Sequence, residues 1–482
     1  MHLAAVVNVT GTLVLVLGLA QLVPVAVSLG YGEGDWPILL QSAIGATVLG
    51  GVLVVLSRNA REISERDGFV VVTAGWAAAA FVGGVPFLLT GTVHTVTDAV
   101  FESMSGFTTT GASVFVEFGG LSHGVLLWRS MTQWFGGMGI IVLALVILPA
   151  LGIGGMQLYK REVPGPTSEK LTPRLRDTAR ALWAVYLLVT GAETLSLYLL
   201  GMSLFDAVNH SLTTVSTGGF STRAESVGGY DSAAIEWCII GFMSISGMNF
   251  ALHYRQLTRP RSAFHYARDQ ECIWYVGATV LGAAAIGLYL MVWHGYALGT
   301  AATKGTFQFV SILTTTGFGS DDYVHWGAFP QILLLLAMIG GGCAGSTAGG
   351  IKWVRILVVF KYIRLELLRL IHPRIVVDAK LNQGRVTPQI FSNVFAFIFL
   401  YLTTLAVVTL LLALDRVSIL TALGAAAAAL GNIGPGLDAV GPMGNYFHLS
   451  TYAKWVLVLA MLLGRLELMT VIVLFVPQVW RR

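Results

Sequence analysis

The sequence predicts an all-α polytopic membrane protein, in which an N-terminal two-helix hairpin precedes four pseudo-symmetric repeats around one pore. Two observations support this fold class. Of the 482 residues, 55% are hydrophobic and only 11% are charged, whereas soluble proteins carry roughly 25% charged residues. A short segment rich in threonine and glycine also recurs four times, at a period of roughly 100 residues, which indicates internal duplication.

The four recurring segments have the chemistry of an ion filter. They are residues 108–112 (TTTGA), 215–219 (VSTGG), 314–319 (TTTGFG) and 431–436 (GNIGPG). Glycine permits the dihedrals that turn successive carbonyl oxygens toward one axis, and such carbonyls can replace the water around a dehydrated cation. We therefore expect cation contacts, with K⁺ as the ion, from Thr109, Thr110, Gly111, Ser216, Thr217, Gly218, Thr315, Thr316, Gly317, Asn432, Ile433 and Gly434.

Apolar runs of about 20 residues, the length that crosses a bilayer, divide the chain into five regions. The N-terminal hairpin is residues 1–58, with spans at about 3–30 and 37–57. Each following repeat is predicted as a helix, a pore helix, a filter segment and a second helix. The repeats occupy residues 68–157, 180–258, 270–372 and 388–478.

Each repeat contains one apolar segment that is too short to span. These pore helices are expected at about 94–107, 205–216, 300–315 and 418–431, and their length indicates re-entrant segments covered by protein. The second spanning helices of repeats 1, 2 and 4 are expected to be continuous, at about 122–150, 232–254 and 451–477. That of repeat 3 is expected to be broken, because its glycines do not support a regular helix.

The distribution of charge predicts the topology. Basic residues cluster in the loops after the hairpin and after each repeat, at about 58–66, 160–180, 255–268, 361–385 and 481–482. The loops next to the filter segments are acidic instead. Under the positive-inside rule both termini are cytoplasmic and the four filter segments lie toward the outside. The net charge of +4 is small and gives no indication of nucleic-acid binding, while the three cysteines have neither disulfide nor metal-ligand spacing.

Several motifs together resemble the superfamily of potassium transporters of the Trk, Ktr and HKT type, over essentially the whole chain. They are residues 128–130 (WRS), 133–139 (QWFGGMG), 247–250 (GMNF), 345–352 (GSTAGGIK) and 464–467 (GRLE). The N-terminal hairpin makes the chain similar to the TrkH branch. The resemblance implies a homodimer in the bacterial inner membrane and a cytosolic, nucleotide-binding regulatory subunit of the TrkA type.

The filter segments differ from one another. Repeats 1 and 3 keep TTTG, repeat 2 has VSTG, and repeat 4 has NIGPG. We therefore expect fewer well-formed ion sites than in a symmetric channel. Selectivity for potassium over sodium is implied by the resemblance, because relatives that admit sodium can carry serine at the first filter glycine. Here Gly111, Gly218, Gly317 and Gly434 are aligned at that position.

A glycine-rich stretch in repeat 3, residues 339–350, has two interpretations. Glycines can mark a close helix crossing, or they can form a mobile intramembrane loop that gates conduction below the filter, as the resemblance implies. Arg465 lies in an otherwise apolar span, where charge indicates function. It is either an electrostatic barrier in the pore or a buried residue bound to carbonyls or to Glu467. The expected gating residues are Gly340, Gly341, Gly342, Gly345, Ser346, Thr347, Gly349, Gly350 and Arg465.

Other polar residues in apolar segments are expected to be structural. Arg129, Glu102 and Glu236 are predicted to link pore helices to spans, and His210 is predicted to be a hydrogen-bonded packing residue. Lys304 could extend toward the membrane interface. The basic loop 352–385 could bind an acidic partner or anionic lipid, although topology-setting charge explains most of it.

Together these features predict channel-like potassium uptake through a gated filter. The alternative is a secondary transporter that couples potassium to sodium or protons, which broken helices would also suit. It requires titratable residues at the ion site, and the filter segments contain none. An enzyme is not expected, since no nucleophile with a base and no metal-ligand cluster is present. No covalently bound cofactor is expected either, and nucleotide is expected to act only through the regulatory subunit.

Overall fold

The computed structural model describes residues 2–58, 65–146, 171–258, 266–373, 379–382 and 384–477. Parts of the predicted basic loops, the end of the first repeat and the last residues of the fourth lie outside these ranges. Six helices in the described residues are long and apolar enough to cross a membrane, and two bent helix pairs raise this number to eight. The chain is thus a multi-pass membrane protein.

The N-terminal hairpin forms as predicted. Its first span is α1 (Leu3–Ala20) followed by α2 (Leu22–Gly30), and its second is α3 (Trp36–Leu56). The spans approach closely because glycine lies where they cross. A Cβ at Gly50 would lie 2.3 Å from the Leu15 backbone nitrogen. A buried hydrogen bond of 2.9 Å from Ser42 to Gln21 adds a polar contact.

Four repeats follow, each with a short pore helix after its first long helix. Repeat 1 contains α4 (Glu65–Leu89), α5 (Val96–Phe107) and α6 (His123–Val146). Repeat 2 contains α7 (Leu171–Leu199), α8 (Leu204–Val215), α9 (Ala233–Ser246) and α10 (Phe250–Thr258). Repeat 3 contains α11 (Gln270–His294), α12 (Leu298–Leu313), α13 (Ala328–Gly340) and α14 (Trp353–Ile371).

Repeat 4 follows a short antiparallel hairpin of β1 (Lys380–Leu381) and β2 (Gly384–Arg385). It contains α15 (Pro388–Ala413), α16 (Ile419–Gly431), α17 (Thr451–Arg465) and α18 (Met469–Ile472). The pore helices α5, α8, α12 and α16 have 12, 12, 16 and 13 residues. They are therefore too short to span, as predicted. Below, the side on which they begin is called the outer side.

Side-chain caps fix where three of the pore helices begin. The hydroxyls of Thr95, Ser203 and Ser418 each accept the backbone N–H three residues later. Such caps satisfy N–H groups that have no partner inside the helix. The third pore helix begins at Leu298, and its N-cap residue Ala297 provides no side-chain cap.

The second helices of repeats 2 and 4 are broken, so the predicted continuous spans at 232–254 and 451–477 are wrong. The α9–α10 pair bends by 95° and the α17–α18 pair by 106°. In repeat 2 the Gly247 carbonyl accepts the N–H of Cys343 at 2.8 Å. This carbonyl therefore bonds a residue of repeat 3. In repeat 4 Glu467 and Leu468 both have positive φ, which a continuing helix does not allow.

Candidate ion filter and intramembrane loop

The four pore helices end in the same backbone turn. One residue in each turn, called the first filter position, lies one or two residues after the helix end and has a φ between 51° and 57°; these residues are Thr109, Thr217, Thr315 and Asn432. The next residue donates its N–H to the carbonyl five residues earlier in every repeat, at 2.8 to 2.9 Å. These bonded residues, at the second filter position, are Thr110, Gly218, Thr316 and Ile433.

Glycine occupies the third filter position in all four repeats, with φ between 77° and 99°; these residues are Gly111, Gly219, Gly317 and Gly434. Each lies against the second-position carbonyl of the next repeat. A Cβ at Gly111 would lie 2.1 Å from the Gly218 oxygen, and one at Gly219 would lie 1.9 Å from the Thr316 oxygen. The corresponding distances are 1.8 Å for Gly317 to Ile433 and 2.7 Å for Gly434 to Thr110. The contacts pass from repeat 1 to 2, 3, 4 and back to 1, so the four segments form a closed ring.

The ring shifts the alignment of repeat 2 by one residue relative to the sequence prediction. Gly219, which the sequence analysis did not assign to the filter, takes the conformation of Gly111, Gly317 and Gly434. Gly218 takes the second position, where repeats 1 and 3 carry threonine. A signal in the sequence could have found this, because Gly219 precedes Phe220 as Gly317 precedes Phe318.

The polar side chains of the filter make different hydrogen bonds in repeats 1 and 3 than in repeat 4. In repeats 1 and 3 the second-position threonine bonds the hydroxyl two residues earlier, from Thr110 to Thr108 at 2.7 Å and from Thr316 to Thr314 at 2.8 Å. In repeat 4 the Asn432 amide donates to the Thr110 hydroxyl and to the Met461 carbonyl, both at 3.0 Å. Asn432 therefore joins repeat 4 to repeat 1.

Polar residues behind the filter hold the segments that lead outward from it. Glu102 accepts from Arg129 at 2.6 Å and from the Val114 N–H at 2.9 Å. Arg129 also donates to the Ser221 carbonyl of repeat 2 at 3.0 Å. The linking role predicted for Glu102 and Arg129 is thus confirmed.

His210 and Glu236 also have the structural contacts that were predicted for them. His210 lies in a buried site with its ring nitrogens against the Asp206 carbonyl at 2.8 Å and the Ser221 hydroxyl at 3.0 Å. Glu236 pairs with Lys304 at 2.7 Å. The predicted extension of Lys304 toward the membrane interface is wrong, because its ammonium group is held by Glu236 and by the Ser320 carbonyl.

The outer loop of repeat 4 is attached to the start of its pore helix. The Asp438 carboxylate accepts hydrogen bonds from the hydroxyls of Ser418 and Thr421. These bonds, from Ser418 first and then Thr421, hold the pKa of the Asp438 carboxyl below its usual range. The carboxylate is thus kept ionised at the start of a pore helix, where the helix dipole favours negative charge.

The glycine-rich stretch forms a loop, residues 341–352, directly below the filter. The Thr347 hydroxyl donates to the Val215 carbonyl of repeat 2 at 3.0 Å, and the Gly349 N–H donates to the Thr315 hydroxyl of repeat 3 at 2.8 Å. Gly349 also packs on the Gly431 carbonyl of repeat 4, which a Cβ would approach to 2.2 Å. The loop therefore crosses the inner side of the ring.

Arg465 connects this loop to repeat 1. Its guanidinium is buried and donates to the Thr347 carbonyl at 2.8 Å and to the Gly136 carbonyl on α6 at 3.0 Å. Glu467, its other predicted partner, is held by Arg355 at 2.6 Å and by Lys352 at 3.2 Å. The sequence left two interpretations of Arg465, a barrier in the pore or a buried residue bound to carbonyls or to Glu467. Its contacts are those of a residue bound to carbonyls. They also place its positive charge immediately below the filter.

One carboxylate bonds both the loop and the first turn of the α14 helix that follows it. Glu271, at the start of α11, accepts the N–H of Ala344 at 2.7 Å and that of Val354 at 2.9 Å on the same oxygen. The sequence analysis did not single out Glu271. It lies in the first turn of a helix, and only the fold brings it to the loop.

A closed ring of four filter turns, with pore helices behind it and a loop beneath it, defines a single-chain membrane protein of the pore-loop class. Residues 38–271 and 287–482 match the TrkH family model, described as cation transport protein. The chain is 41% identical to the Trk system potassium uptake protein TrkH of Salmonella typhimurium, with 100% of each chain covered. It is 36% identical to TrkG of Escherichia coli, covering 100% of this chain and 99% of that protein.

A solved structure agrees with these relatives. The crystal structure of the potassium transporter TrkH from Vibrio parahaemolyticus matches at a TM-score of 0.91 with 37% identity, and covers 100% of both chains. The chain belongs to the TrkH family of cation transport proteins.

Proposed function

We propose that this protein is the ion-translocating, channel-like subunit of a Trk-type potassium uptake system in a bacterial inner membrane. The observation that carries the proposal is the closed ring of second-position carbonyls and third-position glycines. Backbone carbonyls arranged in this way can replace the hydration shell of potassium. The names of full-length relatives, which are Trk system potassium uptake proteins, support the same conclusion.

A potassium ion that enters from the outer side would pass the filter first and the loop second. Potassium would lose its water among the filter carbonyls of the four repeats, where the C-terminal ends of the pore helices favour positive charge. It would then meet the loop and Arg465. Conduction requires residues 341–352 to move away from the pore axis, because the loop contacts both Thr315 and Val215 beneath the filter.

The proposal includes an assembly. A homodimer and a cytosolic nucleotide-binding regulator of the TrkA type would complete the system, with both termini in the cytoplasm. The relatives' designation as Trk system proteins supports a multicomponent assembly. The basic residues Lys361, Arg364 and Arg369 on α14 support a cytoplasmic position for the inner side.

Reconstituted flux tests this function. Purified protein in proteoliposomes, without a partner subunit, would be given a potassium gradient in the absence of sodium and pH gradients. We expect downhill potassium flux, and we expect Gly317→Ser to reduce it or to admit sodium. Flux that requires a sodium or proton gradient would instead support the coupled transporter. If neither condition gives flux, the assay is repeated with the regulatory subunit, and continued absence of flux contradicts the proposal.

A further inference from the structure

Glu193 is a fully buried carboxylic acid in the first helix of repeat 2. It lies on α7, within a segment of membrane-spanning length, and it is shielded completely from solvent. The Thr214 side chain, in the last turn of pore helix α8, is near enough to the Glu193 carboxyl group to interact with it. The Cys238 thiol on α9 is near enough to interact with it electrostatically.

Glu193 differs from the other buried carboxylates that the structure describes. Neither of its oxygens has a hydrogen-bond partner within normal distance and angle. It also has no cationic partner in the described residues. The others each contact a cationic side chain, an imidazole or backbone N–H groups; these are Asp67, Asp98, Glu102, Glu236 and Glu271.

An unpartnered carboxylate in such a site is neutral. Ionising it would place a charge in a low-dielectric interior without a counter-ion, which costs far more than keeping the proton. A neutral acid has one O–H to donate. The Thr214 hydroxyl oxygen can accept this O–H once the two side chains turn toward each other, because the hydroxyl's own hydrogen is donated to the His210 carbonyl at 2.7 Å.

We propose that Glu193 is a proton-binding site that supports the filter segment of repeat 2. Thr214 connects the two, because its carbonyl accepts the N–H of Thr217, the first filter position, at 2.9 Å. When Glu193 releases its proton to water, the new carboxylate becomes a strong acceptor. It then draws the Thr214 hydroxyl away from His210, so the last turn of α8 and the filter turn loosen together. Conduction falls as pH rises.

The neighbouring titratable groups do not replace Glu193 in this role. His210, on the same pore helix, has its ring nitrogens against the Asp206 carbonyl and the Ser221 hydroxyl. Cys238 on α9 carries no charge as a thiol. Burial without a counter-ion disfavours the ionised form of a carboxyl group, so we expect the change in flux on the alkaline side of neutral pH.

The first test compares potassium flux across pH in wild type, Glu193→Gln and Glu193→Leu. These variants cannot ionise, and leucine suits an apolar site if glutamine impairs folding. Wild-type flux should fall several-fold from neutral to alkaline pH, whereas the variants should keep their neutral-pH flux. The matched control is Glu225→Gln, which removes an exposed carboxylate from the same repeat and should follow wild type. Identical pH profiles for wild type and the Glu193 variants would overturn the proposal.

The flux test rests on the proposed function. A second measurement does not depend on it. Infrared difference spectra of wild type minus Glu193→Leu should show the carbonyl band of a protonated carboxylic acid at neutral pH, and this band should disappear at alkaline pH. Absence of the band at neutral pH would overturn the proton site even in an active protein. A wild-type protein that shows the band but conducts under no condition would contradict the proposed function and leave the proton site supported.

Discussion

Arg465 donates a hydrogen bond of 2.8 Å to the carbonyl oxygen of Thr347, in the loop that crosses beneath the filter. Its second bond, of 3.0 Å, reaches Gly136 on the α6 helix of repeat 1. One buried side chain therefore joins the loop to a repeat on the other side of the ring. Opening of the loop requires that both bonds be exchanged for others.

We expect Arg465→Gln to raise potassium flux through reconstituted protein without a partner. Hydrogen bonds to charged groups contribute about 1.5–3 kcal/mol each, so their loss should shift the loop toward open states by tenfold or more. Arg465→Lys keeps the charge but lacks the guanidinium fork. It should give intermediate flux if bonding to the loop and charge both matter. Unchanged flux in the Gln variant would contradict a closing role.

Gly219→Ser should impair the filter as severely as Gly317→Ser. A Cβ at Gly219 would overlap the Thr316 oxygen at 1.9 Å, and its φ of 77° lies in the left-handed region. That conformation costs a non-glycine residue roughly 1–2 kcal/mol before any overlap is counted. Rubidium flux and the potassium-to-sodium ratio measure the effect. Gly119→Ser, in an exposed loop with open space, is the control, and a harmless Gly219→Ser would refute the alignment of repeat 2.

Replacement of Glu271 by alanine should loosen the loop, whereas glutamine should largely preserve it. The reason is that one oxygen accepts both the Ala344 and the Val354 N–H groups, and a glutamine carbonyl can accept the same two bonds. Hydrogen exchange of peptides covering residues 343–354 should be faster in the alanine variant, and flux should be higher. Equal exchange in the two variants would show that the carboxylate does not hold the loop.

The effects of replacing Arg129 and Glu102 on the free energy of unfolding should be strongly non-additive. Both side chains are buried, and their bond is 2.6 Å long. Removing one partner of a buried pair costs about 3–5 kcal/mol, so Arg129→Gln should lower the thermal midpoint markedly. The double variant with Glu102→Gln should be less destabilised than the sum of the single variants. The exposed pair Arg369 and Glu366, also 2.6 Å apart, is the control, with an expected loss of about 0–1 kcal/mol.

Composition and segment length were sufficient to predict the helical membrane fold and the half-length pore helices, because a bilayer imposes strict lengths on apolar helices. The break in repeat 3 was also predictable from its glycines. The bends in repeats 2 and 4 were not. They depend on contacts made only after folding, such as the bond between Gly247 and Cys343 and the pairing of Glu467 with Arg355.

The sequence was sufficient to find the four filter segments. It was not sufficient to align the residues of repeat 2 with those of the other three repeats. Repeat 2 contains two adjacent glycines, and only the phenylalanine that follows Gly219, as Phe318 follows Gly317, indicates from sequence which of them takes the left-handed conformation. Contact with the next repeat decides it, because Gly219 must lie against the Thr316 oxygen. The snorkelling expectation for Lys304 failed for a similar reason, since its partner Glu236 is 68 residues away in the sequence.

The ring of contacts between the four repeats, which begins with Gly111 on Gly218 and closes with Gly434 on Thr110, also affects how the filter sequence can change in evolution. In a pore made of four identical chains, one codon change alters all four walls at once. Here the same change alters the filter segment of one repeat, and the other three segments keep their sequence. Successive mutations can therefore produce an asymmetric filter one repeat at a time. Residues such as Asn432 and Ile433 can be introduced without an intermediate in which all four repeats have lost their ion contacts.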